Sequence, residues 1–263
     1  MGIHTRNFAP VFLTFVAITL LGFASLAYAD HSWSGYHWAR TANPFTLKLG
    51  DNVTSSWDSY LATTSADWSL SSVLNTLIVP GAGTRCKPKA GRVEVCNSKY
   101  GNNGWLGIAS IWISGPHITQ GTVKLNDTYF NTSTYNTAAW RNLVMCQEVG
   151  HTFGLDHQDE NFTNPNLNTC MDYTNNPASN QHPNAHDYEQ LEIIYGHLDS
   201  STTLSQTTAS SAQDDSNDPK AWGREVRRSA DGRLSVFEQD LGNGHKVLRH
   251  VFWSEPRGNH SEK

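Results

Sequence analysis

The segment Gln147–His157, with the sequence QEVGHTFGLDH, contains side chains that can bind a metal ion and transfer a proton. On a helix, positions 147 and 151 lie on one face, and Glu148 lies within one turn of His151. Gly154 can end such a helix in a left-handed conformation and turn His157 back toward the same face. The spacing predicts a metal site built from one short segment, with a carboxylate beside it.

The order E-x-x-H-x-x-G-x-x-H resembles the signature H-E-x-x-H-x-x-G-x-x-H of the metzincin clan of zinc endopeptidases. It differs at the first position, where Gln147 stands in place of histidine. The sequence CMDY at residues 170–173 resembles the Met-turn of that clan, and residues 184–196 resemble its closing helix. The resemblance extends over residues 44–197 and is to matrix-metalloprotease and astacin-like catalytic domains.

A catalytic zinc takes three protein ligands and leaves one position for water. The resemblance implies that His151 and His157 bind one catalytic Zn²⁺, with Gln147 as a neutral, hard and therefore weaker third ligand. Alternatively, a group elsewhere, such as His182 or His186, completes the site, or the domain has lost catalysis and keeps the fold for binding. A calcium-stabilised adhesive module is a further alternative, although the sequence indicates no structural Ca²⁺.

The resemblance assigns acid–base chemistry to Glu148, which cannot bind the same ion from its place on the helix. It would accept a proton from metal-bound water and pass it to the leaving amine. Tyr173 would stabilise the oxyanion, and Met171 would lie beneath the metal. These roles predict a zinc-dependent endopeptidase acting on protein or peptide substrates.

Residues 1–29 are typical of a secretory signal, with Arg6, an apolar run over 11–27 and the cleavage sequence Ala27-Tyr28-Ala29. A membrane anchor is the alternative, because the run approaches the roughly 18 apolar residues of a spanning helix. No later apolar run is long enough to span a bilayer. We therefore expect a secreted, extracellular protein without a transmembrane segment after cleavage.

Four cysteines are consistent with export to an oxidising compartment. Of the three connectivities, we favour Cys86–Cys96 and Cys146–Cys170, the second of which brackets the metal helix and the Met-turn. Cys146 could instead bind the metal beside Gln147. One helical position turns a side chain by about 100°, away from the metal face, which disfavours that alternative.

Charge is uneven along the chain. Residues 30–219 contain 9 Lys and Arg against 18 Asp and Glu, a net charge of −9, whereas residues 220–263 contain 9 against 6, a net charge of +3. The acidic main part argues against a nucleic-acid partner. The basic tail is interpreted as a solvated surface, and we expect the protein to be a monomer.

The strand and helix patterns predict an α+β domain at residues 30–198, in agreement with the resemblance. We expect a metzincin-like, twisted mixed five-stranded sheet packed on the active-site helix and the closing helix. Residues 199–219 contain ten Ser and Thr and are predicted to be a flexible linker. Residues 220–263 predict a small β-meander that docks on the main domain, contacts an outside surface or forms a stabilising cap.

The predicted strand over residues 105–113 is where the resemblance would place the substrate. As an edge strand above the cleft, it could pair with an extended peptide through main-chain hydrogen bonds. The alternative is an internal strand with no ligand.

Overall fold

The computed structural model describes residues 1–2, 31–83, 86–204 and 216–255. Residues 3–29 of the predicted signal segment and 205–215 of the predicted linker therefore lie outside the described residues. Among the residues that are described, no helix combines the length and the apolar character needed to cross a membrane.

The described ranges contain nine strands and four α-helices, together with two short 3₁₀-helices. In chain order these are β1 (His37–Trp38), β2 (Phe45–Asn52), α1 (Asp58–Trp68), β3 (Leu74–Pro80), β4 (Arg92–Ser98), β5 (Trp105–Ser114), β6 (His117–Asn126), α2 (Asp127–Phe130), α3 (Ala138–His151), α4 (Ala185–Ile194), β7 (Arg224–Arg228), β8 (Leu234–Gly242) and β9 (His245–Trp253). The structure is thus a mixed α+β fold with one large sheet and few helices.

The sheet has the strand order β3-β2-β4-β6-β5-β9-β8-β7, and β1 pairs with β6 beside this path. The pairs β2·β3, β2·β4, β4·β6 and β1·β6 are parallel, whereas β5·β6, β5·β9, β8·β9 and β7·β8 are antiparallel. The first five strands in that order are the five predicted for the main domain. The predicted meander is present as β7 to β9, and it continues the same sheet.

Strand β5 is internal, so the prediction that it forms an open edge for substrate is wrong in this structure. Its main-chain groups pair with β6 on one side and with β9 on the other, in register from Trp105 opposite Trp253 to Ser114 opposite His245. The main-chain hydrogen bonds that a bound peptide would make are therefore made by the C-terminal part of the same chain.

Helix α3 lies at the centre of a core to which both parts of the chain contribute. Its buried Leu143, Val144 and Val149 belong to one apolar cluster with Leu248 and Phe252 of β9. Removing such surfaces from water is worth about 25 cal/mol per Å² of apolar area. The meander is therefore packed into the core of the main domain.

Both favoured disulfides are present, Cys86–Cys96 and Cys146–Cys170. Because Cys146 is disulfide-bonded, it is not a metal ligand. The second bond joins α3 to the residue before Met171. Helix α1 begins at Asp58, after a turn in which Trp57 N donates to Thr54 O at 2.7 Å.

Candidate metal site

Helix α3 carries half of the site and begins at a capping residue. The Thr137 hydroxyl accepts a hydrogen bond from the amide three residues later at 3.2 Å, which satisfies a free donor of the first turn. The helix ends at His151, and Gly154 has a φ of +93°. A Cβ at Gly154 would collide with the Tyr36 carbonyl, so glycine is required there. The chain then turns back, and His157 lies beside His151.

The His151 and His157 rings face each other with their Nε2 atoms 3.1 Å apart. His151 Nδ1 donates to the Leu155 carbonyl at 2.9 Å, which leaves a lone pair on its Nε2. His157 Nδ1 lies 3.0 Å from the Tyr173 hydroxyl and 3.3 Å from an Asp156 carboxylate oxygen. Both rings therefore have Nδ1 occupied and Nε2 directed toward one point.

His250 of β9 provides a third imidazole that the sequence analysis missed. Its ring centroid lies 3.9 Å from that of His151 and 4.8 Å from that of His157. One ligand nitrogen from each of the three rings falls within 4.8 Å of the others. His250 Nδ1 lies 3.0 Å from Glu148 Oε2, and its buried Nε2 has no hydrogen-bond partner among the described residues. We call these three residues the buried triad.

The alternation of β9 explains why His250 points inward. Leu248 and Phe252, two residues to either side, are buried in the core cluster with α3, so period-two geometry places His250 on the same face. On β5, Gly107 lies opposite Phe252 and lets α3 approach closely. A Cβ there would lie 2.6 Å from Val144 Cγ1 and 2.7 Å from Glu148 Oε1.

Burial controls the ionisation of this site. It lowers the pKa of His157 to about 4 and holds the pKa values of His151 and His250 well below the usual value. Burial also raises the pKa of Glu148 well above its usual value, with a backbone hydrogen bond from Ala109 acting in the opposite direction. The three imidazoles are therefore neutral at pH 7, the form in which histidine binds metals.

The buried triad has the donor chemistry of a zinc site. Zinc–nitrogen bonds of about 2.0–2.1 Å place the nitrogens of a tetrahedral site about 3.4 Å apart, close to the 3.1 Å between His151 and His157. The Nδ1 contact of His250 with Glu148 repeats the carboxylate–histidine pairing that orients many metal ligands. The unpaired His250 Nε2 supplies a free lone pair. The residues present thus fit zinc.

Gln147 lies on the same helix, fully buried. Its amide nitrogen donates to the Cys170 carbonyl at 2.9 Å, while its buried Oε1 has no hydrogen-bond partner in the part of the chain that the structure describes. The alternative ligands His182 and His186 are elsewhere. His182 pairs with Asp67 at 2.7 Å, and neither belongs to the cluster of possible metal ligands around His151.

The Met-turn lies directly against the helix. A Cβ on Gly150 would be 2.8 Å from Met171 Sδ and 2.7 Å from Trp68 Cζ2. This close packing explains why a glycine stands at position 150, although glycine costs helix stability. Tyr173 is buried and contacts the site through His157 Nδ1, and its ring stacks on Phe162 with centroids 4.7 Å apart.

The site is covered on several sides. Glu148, His151 and His250 have no solvent exposure. The Trp33 ring stacks on His151 with centroids 5.3 Å apart. Arg227 of β7 forms a two-pronged ion pair with Asp156, with N–O distances of 2.5 and 2.6 Å. The N-terminal segment and the meander therefore both close over the metal motif.

No protein-family model and no curated protein matches the chain. Among solved structures, it is similar to the structure of myroilysin with a TM-score of 0.37 and 13% identity, over 63% of this chain and 98% of that one. It is also similar to high choriolytic enzyme 1, a hatching enzyme zinc-protease from Oryzias latipes (medaka fish), with a TM-score of 0.35 and 8% identity, over 62% and 96% of the two chains. TM-scores below 0.5 carry no conclusion about activity.

Proposed function

We propose that this protein is a secreted zinc-dependent endopeptidase in which His151, His157 and His250 hold the catalytic metal and Glu148 acts as general base. The observation that carries the proposal is the convergence of three neutral, buried imidazoles beside one carboxylate. Gln147, whose Oε1 has no hydrogen-bond partner among the described residues, is a further candidate oxygen donor.

When bound, zinc would polarise the substrate carbonyl and lower the pKa of a bound water to about 7. The Glu148 carboxylate would then accept the water proton and deliver it to the leaving amine. A divalent cation favours the charged form of Glu148, against the effect of burial on its pKa. Tyr173, which contacts His157, is the candidate to stabilise the oxyanion.

Access to the site requires movement of part of the C-terminal strands or an opening beside Tyr173. Strand β9 occupies the side of β5 on which a peptide would pair, and His250 Nδ1 engages Glu148 Oε2. Because β9 carries the proposed ligand His250, a substrate needs to reach the metal from the side of Tyr173 and Phe162, or it needs β9 to separate from β5 only outside His250. Phe162 lines a surface groove of about 760 Å³ together with Glu160 and Arg233.

The pairing of β9 with β5 and the contact of His250 with Glu148 also favour a second candidate function. If β9 never leaves β5 and no path opens beside Tyr173, the buried triad is a structural metal site, and the protein is a catalytically silent binding protein on the same fold. In that case the three ligands hold a metal that substrate does not reach, and zinc contributes folding stability alone.

Zinc content and peptidase activity of the purified protein separate the two functions. The endopeptidase is expected to contain zinc and to cleave an unstructured protein such as casein, with loss of cleavage on chelation and recovery on addition of Zn²⁺. Zinc bound by the buried triad without any casein cleavage would support the silent binding protein. Cleavage that is insensitive to chelation would contradict both.

A further inference from the structure

A second group of imidazoles lies around the carboxylate of Asp199. His117, His37 and His197 place their Nε2 atoms 3.2, 3.5 and 3.7 Å from Asp199 Oδ1. The Nε2 atoms of His37 and His197 are 3.2 Å apart. We call these four residues the Asp199 cluster.

The cluster joins three separate segments of the chain. His37 lies in β1 and His117 at the start of β6, where the two residues are partners in the parallel pairing. His197 and Asp199 follow the end of α4. No local sequence motif connects these positions, so only the fold brings them together.

The protonation of His37 is fixed by its surroundings. Its Nδ1 donates to the Gly35 carbonyl at 2.8 Å, so in the neutral ring the lone pair is on Nε2. The His37 side chain is buried. The lone pair therefore faces a carboxylate oxygen and a second imidazole nitrogen, an arrangement that a cation between them would stabilise.

Asp199 is oriented in the way that ligating carboxylates often are. Its Oδ2 accepts hydrogen bonds from Arg40 Nη1 at 2.9 Å and from the Arg40 amide at 3.2 Å. Oδ1 is left to face the three imidazoles. Carboxylates that bind metals are commonly held by such hydrogen bonds to the other oxygen.

The three separations among the ligand atoms of His37, His197 and Asp199 range from 3.2 to 3.7 Å. A tetrahedral ion with bonds of about 2.0–2.1 Å requires ligand atoms about 3.4 Å apart. Two imidazoles and one carboxylate suit zinc better than the all-oxygen preference of calcium or magnesium. The side chains of His197 and His117 are 53% and 30% exposed, so an ion can enter from solvent.

We propose that the Asp199 cluster is a second metal site, which binds one divalent transition-metal ion of the zinc class through His37, His197 and Asp199, with His117 beside them. The ion would tie the N-terminal segment to the end of α4. This site is separate from the buried triad and does not depend on peptidase activity. The alternative is an ordinary ion-pair cluster in which protonated His117 and His197 contact Asp199.

The test is a titration of metal-free, full-length protein with Co²⁺, whose visible absorption becomes intense in tetrahedral sites, followed by zinc stoichiometry. Wild type is expected to bind one equivalent of Co²⁺ at the Asp199 cluster and to show this absorption. His197→Ala and Asp199→Asn are each expected to bind one equivalent of Co²⁺ less and to lose the corresponding part of the absorption spectrum. His182→Ala is the matched control, because His182 is also exposed and also pairs with an aspartate.

His151→Ala reports separately on the buried triad, so failure of one site is distinguishable from failure of the other. Since His197 is half-exposed, its replacement is not expected to unfold the protein, and a zinc-dependent rise in melting temperature gives a second measurement. That rise is expected to shrink in His197→Ala and to persist in His182→Ala. Equal stoichiometry and equal spectra in wild type, His197→Ala and Asp199→Asn would overturn the proposal.

Discussion

The buried triad and the Asp199 cluster both gather three imidazoles around a carboxylate, but they do so in different environments. The triad is enclosed in the core. Burial there lowers the pKa of His157 to about 4, so this ring is neutral at pH 7. The Asp199 cluster lies at the surface, where His197 is open to water. Burial therefore keeps the three imidazoles neutral and able to bind a metal at neutral pH. It also means that the triad forms only when the core folds. The surface cluster can lose a ligand while the core stays intact.

The largest expected effect is the loss of catalysis when Glu148 beside the triad is replaced, a change that leaves the Asp199 cluster intact. Glu148→Gln is expected to lower kcat for casein cleavage by about 10²- to 10⁴-fold, the usual contribution of a general base. Bound zinc should stay nearly unchanged, because an amide oxygen can still accept the hydrogen bond from His250 Nδ1. Steady-state kinetics and metal analysis measure both quantities. Loss of zinc in this variant would show that Glu148 has a metal-binding role.

An added methyl group beside the triad is expected to destabilise the protein more than an added methyl group elsewhere in the sheet. Gly107→Ala should lower the free energy of unfolding by about 1–3 kcal/mol, because the new Cβ would overlap Val144 and Glu148. Gly121→Ala on neighbouring β6 is the control, since its Cβ would meet Val93 Cγ2 at 3.2 Å and needs only a small adjustment. Denaturant unfolding of both variants tests this. Equal losses would mean that the approach of α3 to β5 is not tight.

A smaller effect is expected from the ion pair between the meander and the metal motif. Burial acts to raise the pKa of Asp156, but hydrogen bonds with His157 and Arg227 hold that pKa well below the usual value. Arg227→Ala should cost on the order of 1 kcal/mol, because the Arg227 side chain is 37% exposed and water screens the pair. Arg228→Ala, which removes a pair with Glu225, is the matched control.

The pH dependence of that ion pair has a definite sign. Because the pKa of Asp156 is lower in the folded than in the unfolded state, the pair stabilises the fold fully above the usual value of 3.8. The stabilisation is lost as the pH falls below it. The difference in unfolding free energy between wild type and Arg227→Ala should therefore shrink on acidification, and a constant or growing difference would contradict this account.

The local features of the site could be predicted from the sequence because each depends on neighbouring residues. The left-handed Gly154 and both favoured disulfide pairings were predicted from turn residues and spacing. The strands of the sheet were also predictable, because alternating apolar residues mark them. The order in which those strands pair was only partly predictable.

His250 was missed because its role depends on the pairing of β9 with β5, more than 100 residues apart in sequence. One signal was available. In the predicted strand, Leu248, His250 and Phe252 alternate onto one face, so a histidine stands in an otherwise apolar inner row. Interpreting the meander as a separate module hid this signal. The Asp199 cluster gave no signal, because only His197 and Asp199 are close in sequence, and His37 and His117 reach them through the fold alone.

The central claim is that His250, and not Gln147, supplies the third strong ligand of the buried metal. It is tested by zinc affinity, measured by competition with a chelator, in Gln147→Ala and His250→Ala. Both are made in an Asp199→Asn background so that only the triad is titrated. We expect His250→Ala to weaken zinc binding by at least the roughly 10- to 100-fold lost when a supporting contact is removed, and Gln147→Ala to change it little. Zinc affinity that falls in Gln147→Ala and is unchanged in His250→Ala would contradict the claim.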